Sequence, residues 1–229
     1  EVWYPTDVDT GSLHLSRLAA LDPRGPLTTY LLHDHEDNLF LNGWGMANEP
    51  VYNQHATAYL RRDDVKPAIR AFYSMLACAF SHSVLEPVEH RWGWGQYFGP
   101  PSTDGAWFDL YRHMLIQEQD DETLFLLPAT PRKWLEDGKQ LEIRRAPTYF
   151  GPLSMTVESR AASGTIRANL DMPQRCRPRV LLVRLRHPVG KPVTAVKVNG
   201  ADWLHFEPEN EWLRIANPDQ PRYEIVASY

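Results

Sequence analysis

The sequence predicts an α+β protein of more than one domain: a helical segment over 1–122, then an antiparallel β-sandwich over 123–229. Three observations carry this expectation. From about Ser12 to Glu118, apolar residues recur at three- and four-residue steps, whereas from Thr123 onward they alternate. Turn dipeptides break the second half at short, regular intervals. Hydrophobic residues make up 43% and charged residues 23% of the 229, proportions ordinary for a globular chain with a core of its own.

In chain order, Leu13 to Leu21, Pro26 to His33 and Val51 to Leu60 are short helix candidates. The clearest helix is Asp63 to His82. There Val65, Ala68, Ile69, Phe72, Leu76 and Phe80 fall on one face. Asp63 or Asp64 caps it, and Pro67 is tolerated because it lies in the first turn. A second helix is expected from Gly105 to about Glu118, with Asp104 as N-cap and Trp107, Leu110, Tyr111, Met114 and Leu115 buried.

The strand candidates are Thr123–Leu127, Gln140–Arg145, Leu153–Ser159, Thr165–Leu170, Val180–Arg186, Val193–Val198, Trp212–Ile215 and Tyr223–Ala227. They are separated by Asp137-Gly138, Ser163-Gly164, Pro188-Val189-Gly190, Asn199-Gly200 and Asn217-Pro218. Val193 to Trp203 reads as a hairpin closed at Asn199-Gly200, the dipeptide that best fits a tight two-residue turn.

Charge and composition exclude several classes. The net charge is −5 and no basic stripe with interleaved aromatics occurs, which argues against nucleic acid. No apolar run reaches membrane-spanning length. Cys78 and Cys176 are too few for a disulfide framework and read as free thiols. No nucleophile elbow, phosphate loop or dinucleotide fingerprint is present, and no cofactor or metal is expected. The chain starts at Glu1 without an initiator Met or a signal-like segment, as after processing or a cut. A secreted or periplasmic location is preferred to a cytoplasmic one.

The stretch Glu86 to Leu110, EPVEHRWGWGQYFGPPSTDGAWFDL, carries the most chemistry. Glycine and proline make it read as a loop, and ordinary loops are polar. This one holds Trp92, Trp94, Trp107, Tyr97 and Phe98 beside Glu86, Glu89, His90 and Asp104. Aromatic planes stack on the apolar faces of sugar rings, and carboxylates bond hydroxyls or move protons at a glycosidic bond. Asp104 has a simpler role available as a helix cap, and Glu86 and Glu89 as rim charges.

A second segment, NGWGMANEPVYN, sets Trp44 between glycines and presents Asn48 and Glu49 just before a proline. Glu49 is either a substrate-facing carboxylate or a charge favoured at the positive end of the next helix. His33-Asp34-His35-Glu36-Asp37 suggests metal ligands, since alternate histidines share a side in an extended chain. No third histidine follows at a specific spacing, so a solvated or ligand-facing acidic loop is the better reading. So many aromatics and alanines make a poor closed bundle from four or five helices, and the helical half reads as part of something larger.

The residues PPSTDGAWFDLYRHMLIQEQDDETLFLLPATPRKW, followed by strands, resemble the C-terminal end of bacterial six-hairpin, or (α/α)6-barrel, glycoside hydrolases. The likeness is nearest to the α-L-fucosidase and α-L-rhamnosidase-like groups. The matching positions are Asp104-Gly105 before the helix and Leu126-Leu127-Pro128-Ala129-Thr130-Pro131 after it, about thirty residues in all. The insertion HRWGWGQYFGPP and the segment GWGMANEPVYN depart from those groups.

The resemblance implies the last third of an α/α toroid, completed by the rest of the polypeptide or a companion chain, with a β-sandwich behind it. It also implies a carbohydrate substrate and inverting chemistry by two carboxyl groups about 6.5–9.5 Å apart. On that reading Glu49, Asp104 and Glu89 are the catalytic candidates. Trp44, Asn48, His90, Trp92, Trp94, Tyr97 and Trp107 are the substrate-binding ones. The rival readings are a non-catalytic carbohydrate-binding protein, a structural piece of an assembly, and a toroidal polysaccharide lyase using Tyr97 with His90.

Overall fold

The computed structural model describes residues 16, 18, 20–40, 55–78, 88–92, 95–98 and 101–229. Over 34–40, 55, 75, 78, 88–92, 95–98, 101–103 and 106 the description is of the backbone alone. The chain divides into two compact units, Glu1–Met114 and Leu115–Tyr229. Among the described residues, no helix is long and apolar enough to cross a membrane.

The first unit contains helices α1 (Pro26–Phe40), α2 (His55–Arg62), α3 (Val65–Cys78) and α4 (Pro101–Leu115), with a hairpin of β1 (Val88–Trp92) and β2 (Gly95–Phe98) between α3 and α4. The α2–α3 junction is a tight helix stop. Asp63 takes φ 64°, the Asp63 N–H donates to Leu60 O (3.1 Å) and the Asp64 N–H donates to Tyr59 O (2.9 Å). That is the Schellman pattern, with an aspartate where glycine is usual.

Arg62 then locks the junction to the start of α1. Its guanidinium reaches Asp64 Oδ2 (2.7 Å), Pro23 O (2.8 Å) and Thr29 Oγ1 (2.9 Å). Ala58, Tyr59, Leu60, Ala68, Ala71 and Phe72 are buried; of the face that periodicity marked on α3, Ala68 and Phe72 are buried and Val65 and Ile69 half-buried, while Phe80 lies outside the described residues. Leu76 departs from that face and is 41% exposed.

Three expectations are corrected in this unit. The run Glu86 to Leu110 is not one loop: it contains the hairpin and the first turns of α4. Helix α4 begins at Pro101, because a proline at a helix start gives up only an N–H that has no intrahelical partner, and its φ already suits a helix. Asp104 therefore lies inside the first turn rather than at the cap. The third correction concerns His33 to Asp37, which continue α1 to Phe40. Positions two apart in a helix lie about 200° apart around its axis, so the backbone at 33 and 35 is not the extended one that the metal reading needed.

The second unit is a sandwich of two sheets. One has six strands in the order β10 (Ala201–Trp203), β9 (Ala195–Val198), β13 (Arg222–Ser228), β7 (Thr165–Asp171), β6 (Leu153–Arg160), β5 (Gln140–Ala146). The other has five, ordered β11 (Phe206–Glu207), β12 (Trp212–Ala216), β8 (Val180–Arg184), β4 (Thr123–Leu126), β3 (Ile116–Glu118). Alternation along β6, β7 and β13 sends Leu153, Met155, Val157, Ile166, Ala168, Leu170, Tyr223 and Ile225 inward. They share one core with Ile116, Leu124, Leu126, Leu181, Val183, Leu213 and Ile215 of the opposite sheet.

The sheets are not wholly antiparallel, as expected from sequence, because β4 and β8 run parallel. The chain leaves β4, builds β5, β6 and β7 in the other sheet and returns beside β4, a crossover that periodicity does not encode. Residues 116–118, expected as the end of a helix, form edge strand β3 against β4.

Each expected turn holds a residue at positive φ: Gly138, Gly164, Gly190, Asn199 with Gly200, and Asn217. At the β9–β10 hairpin Val198 pairs with Ala201, with Asn199 at φ 50° and Gly200 at φ 82° between them. Both signs are those of a type I′ turn.

Candidate functional site

The expected site residues that fall among the described ones lie on α4 and on the hairpin that precedes it in the chain. Along the hairpin, His90 stands opposite Tyr97, Arg91 opposite Gln96 and Trp92 opposite Gly95. The register slips between Val88 and His90, which leaves Glu89 at a bulge. A bulge bends its strand and interrupts the ladder, and such irregularities occur often beside binding sites.

Asp104 is exposed in the first turn of α4, where a carboxylate is favoured by the unpaired N–H groups of the helix start. Three residues on, and so on the same side of the helix, Trp107 is half-buried. Its indole stacks on Phe72 of α3 with ring centroids 4.9 Å apart and planes 16° from parallel. Tyr111 adds a second stacked contact to Phe72 at 6.4 Å, and Tyr73 meets it edge-on at 5.3 Å. Phe72 is thus the buried hub that fixes Trp107, and a ring fixed on one side is a stiff platform on any side left open. Tyr111 itself is 38% exposed, more than its helical position suggested.

Of the other expected site residues, Trp44, Asn48, Glu49, Glu86 and Trp94 lie outside the described residues. Glu89, His90, Trp92 and Tyr97 are placed by backbone register alone. Among the described residues the site consists of the pairing of His90 with Tyr97, the bulge at Glu89, and the Asp104–Trp107 side of α4.

The segment Leu126 to Pro131 has a structural explanation. Leu126, Leu127, Ala129 and Thr130 are fully buried, and the Leu127 N–H donates to Leu115 O at 2.7 Å. Two buried arginines at the end of β8 hold this turn by its carbonyls: Arg184 donates to Pro128 O (2.7 Å) and Arg186 to Thr130 O (2.9 Å). Arg184 also lies 5.0 Å from the centre of the Phe125 ring. Leu127 takes φ 60°, a strained value for a branched side chain, which this clamp holds in place.

A buried charged cluster elsewhere in the sandwich had no signal in the sequence. Glu211, 4% exposed, accepts two hydrogen bonds from Arg132 (2.8 and 2.6 Å) and one from the His187 N–H (2.6 Å). Arg132 also donates to His187 O. The His187 ring is buried against Tyr229 at 4.9 Å, and its Nδ1 accepts from the Val189 N–H at 3.3 Å. Burial lowers the His187 pKa, with Lys191 and Arg132 acting the same way. The Ala161 carbonyl, outside hydrogen-bonding geometry, and Glu211 offset this only in part. Burial likewise raises the Tyr229 phenol above its ordinary value, so it stays neutral. Arg132 and Glu211 are 79 positions apart, and Glu211 sits in no motif.

The sequence matches no protein-family model and no curated protein. Among solved structures, it is similar to one described as a glycoside hydrolase, with 13% identity over 81% of this chain and 34% of that one, at a TM-score of 0.43. It is also similar to a GH127 β-arabinofuranosidase, with 12% identity over 82% of this chain and 34% of that one, at a TM-score of 0.38. The chain spans about a third of the length of these two structures.

Proposed function

We propose that this chain is the C-terminal portion of a glycoside hydrolase acting on a glycan, whose helical unit supplies one wall of the substrate site. The observation that carries the reading is the order of parts around α4. A hairpin from the aromatic segment precedes the helix, Asp104 is exposed at its start and Trp107 is held beside it. The helix then runs into a sandwich closed by the Leu126–Pro131 seam. Aromatic planes beside carboxylates suit pyranose or furanose rings, and the same parts in the same order carry the resemblance to six-hairpin enzymes.

In this reading Glu49, Asp104 and Glu89 supply acid, base or ligand-binding carboxylates, and the chemistry inverts the anomeric centre. Trp44, Trp92, Trp94, Tyr97 and Trp107 stack the sugar, while Asn48 and His90 bond its hydroxyls. The remaining barrel helices come from the rest of the polypeptide or from a companion chain.

The test is hydrolysis of a panel of aryl glycosides by the longest natural polypeptide that contains this chain. Glu49→Gln or Asp104→Asn should lower kcat by roughly 10²–10⁴-fold if that residue handles the proton. Near-native rates for both would remove the site assignment, and inactivity of the parent on every glycoside would remove the class.

One observation favours a second reading. His90 and Tyr97 are register partners, the pairing a toroidal lyase acting on uronic acids would need. Release of an unsaturated product absorbing in the near ultraviolet, abolished by Tyr97→Phe, would select it over hydrolysis.

A further inference from the structure

The outer face of the six-stranded sheet carries a groove of about 650 Å³, within the range of small-ligand sites. Its polar lining is set by strand register. Glu142, Thr156, Asn169 and Glu224 are successive cross-strand partners on β5, β6, β7 and β13. With strands about 4.8 Å apart, this row spans roughly 14 Å. A second row, Ser154, Asp171 and Arg222, runs beside it.

The charges in both rows are already matched. Glu142 takes two bonds from Arg144 (2.7 and 3.0 Å), Asp171 pairs with Arg222 (2.8 Å) and Glu224 with Arg167 (3.4 Å). Between the flanking carboxylates sit the Thr156 hydroxyl and the Asn169 amide. Among the described residues, neither is engaged by another side chain. Together they offer donors and acceptors at the centre of the row.

This chemistry narrows the ligand. An anion would meet carboxylates at both ends of the row, and a cation would have to displace an arginine from each. A wholly apolar partner would have to cover the carboxylates, the Thr156 hydroxyl and the Asn169 amide along with the apolar parts of the lining, such as half-buried Ile143. A neutral, hydroxyl-rich chain meets none of these costs: its hydroxyls can donate to the carboxylates and exchange bonds with Thr156 and Asn169.

We propose that this groove is a binding site for a neutral saccharide chain lying across β5, β6, β7 and β13, separate from the site around α4. The choice of a saccharide among neutral polyols rests on the glycan-directed reading above; the groove itself does not.

The test is affinity electrophoresis of the full chain through gels containing neutral glucan, mannan, xylan or arabinan, beside a gel with an anionic polysaccharide. At least one neutral polymer should retard the protein, with retardation insensitive to added salt. The combined Thr156→Val and Asn169→Ala variant should bind on the order of tenfold more weakly.

A second measurement needs no variant: a matching neutral oligosaccharide should shift the side-chain amide resonance of Asn169 in the native protein. Retardation by the anionic polymer alone would overturn the proposal, as would no retardation by any neutral polymer or retardation untouched by the groove variant. Loss of retardation in Trp107→Ala instead would move the binding to the α4 site. Hydrolysis by the parent is scored separately, so a failed groove and a failed hydrolase reading give different results.

Discussion

Glu211 shows how a single residue can organise a region the sequence leaves unmarked. Its carboxylate takes both arms of Arg132 and the His187 backbone N–H, and it does so from a buried position. Glu211→Ala strands a guanidinium and a buried donor together. It should lower the unfolding free energy by about 2–3 kcal/mol, less than a fully buried pair because the Arg132 side chain is 31% exposed. Urea unfolding followed by tryptophan fluorescence would measure the loss. His187 adds a pH dependence of known sign. Its pKa is lowered on folding, so between that value and the unfolded value near about 6.5 the unfolded chain holds more protons. Its contribution is therefore intact above about 6.5 and lost as the pH falls below it. The melting temperature should drop across that window, and His187→Gln should flatten the drop.

At the scale of elements, the legible parts were those with a local cause. The hairpin at Asn199-Gly200 formed where the dipeptide demanded it, since only certain residues take positive φ twice in succession. Gly200→Ala meets no atom within 4 Å of the added carbon, so its whole effect is backbone strain at φ 82°. A loss of about 1–2 kcal/mol is expected, read as a lower urea midpoint with an unchanged slope. Alternation along β6 and β7 was equally plain in the sequence. Strands β3 and β11 were not, because two or three residues on a sheet edge are held by their partners rather than by their own pattern. The start of α4 was misjudged because the prolines before it read as breakers, although proline is welcome at a first helical position.

For the whole molecule, the proposed reading makes the helical unit part of a larger barrel and the sandwich complete in itself. The sandwich closes a core from Leu115 to Ala227 using both of its sheets. Residues 115–229 expressed alone should therefore unfold in one cooperative urea transition; a broad, non-cooperative transition would show that the core needs more than these strands. Among the described residues, the helical unit leaves Leu18, Leu27, Tyr30 and Phe108 more than half exposed, and the sandwich leaves Tyr149, Val189 and Leu204 so, each in a turn or loop. Residues 1–114 alone should bind a hydrophobic dye such as ANS more strongly than 115–229, and equal binding would argue against an incomplete helical half.

The sequence by itself determined the change from helical to alternating period, most strands, the turns between them and the aromatic, carboxylate-rich character of the segment that leads into α4. Those properties follow from residues a few positions apart, the range over which periodicity and turn chemistry act. Only the tertiary structure decided the parallel pairing of β4 with β8, the clamp of Arg184 and Arg186 on the Leu126–Pro131 seam, and the meeting of Arg132 with Glu211. It also decided that Trp107 stacks on Phe72 and that Thr156 and Asn169 stand side by side in a groove. Each of these depends on which distant segments become neighbours, and that is fixed by packing and register rather than by any local pattern.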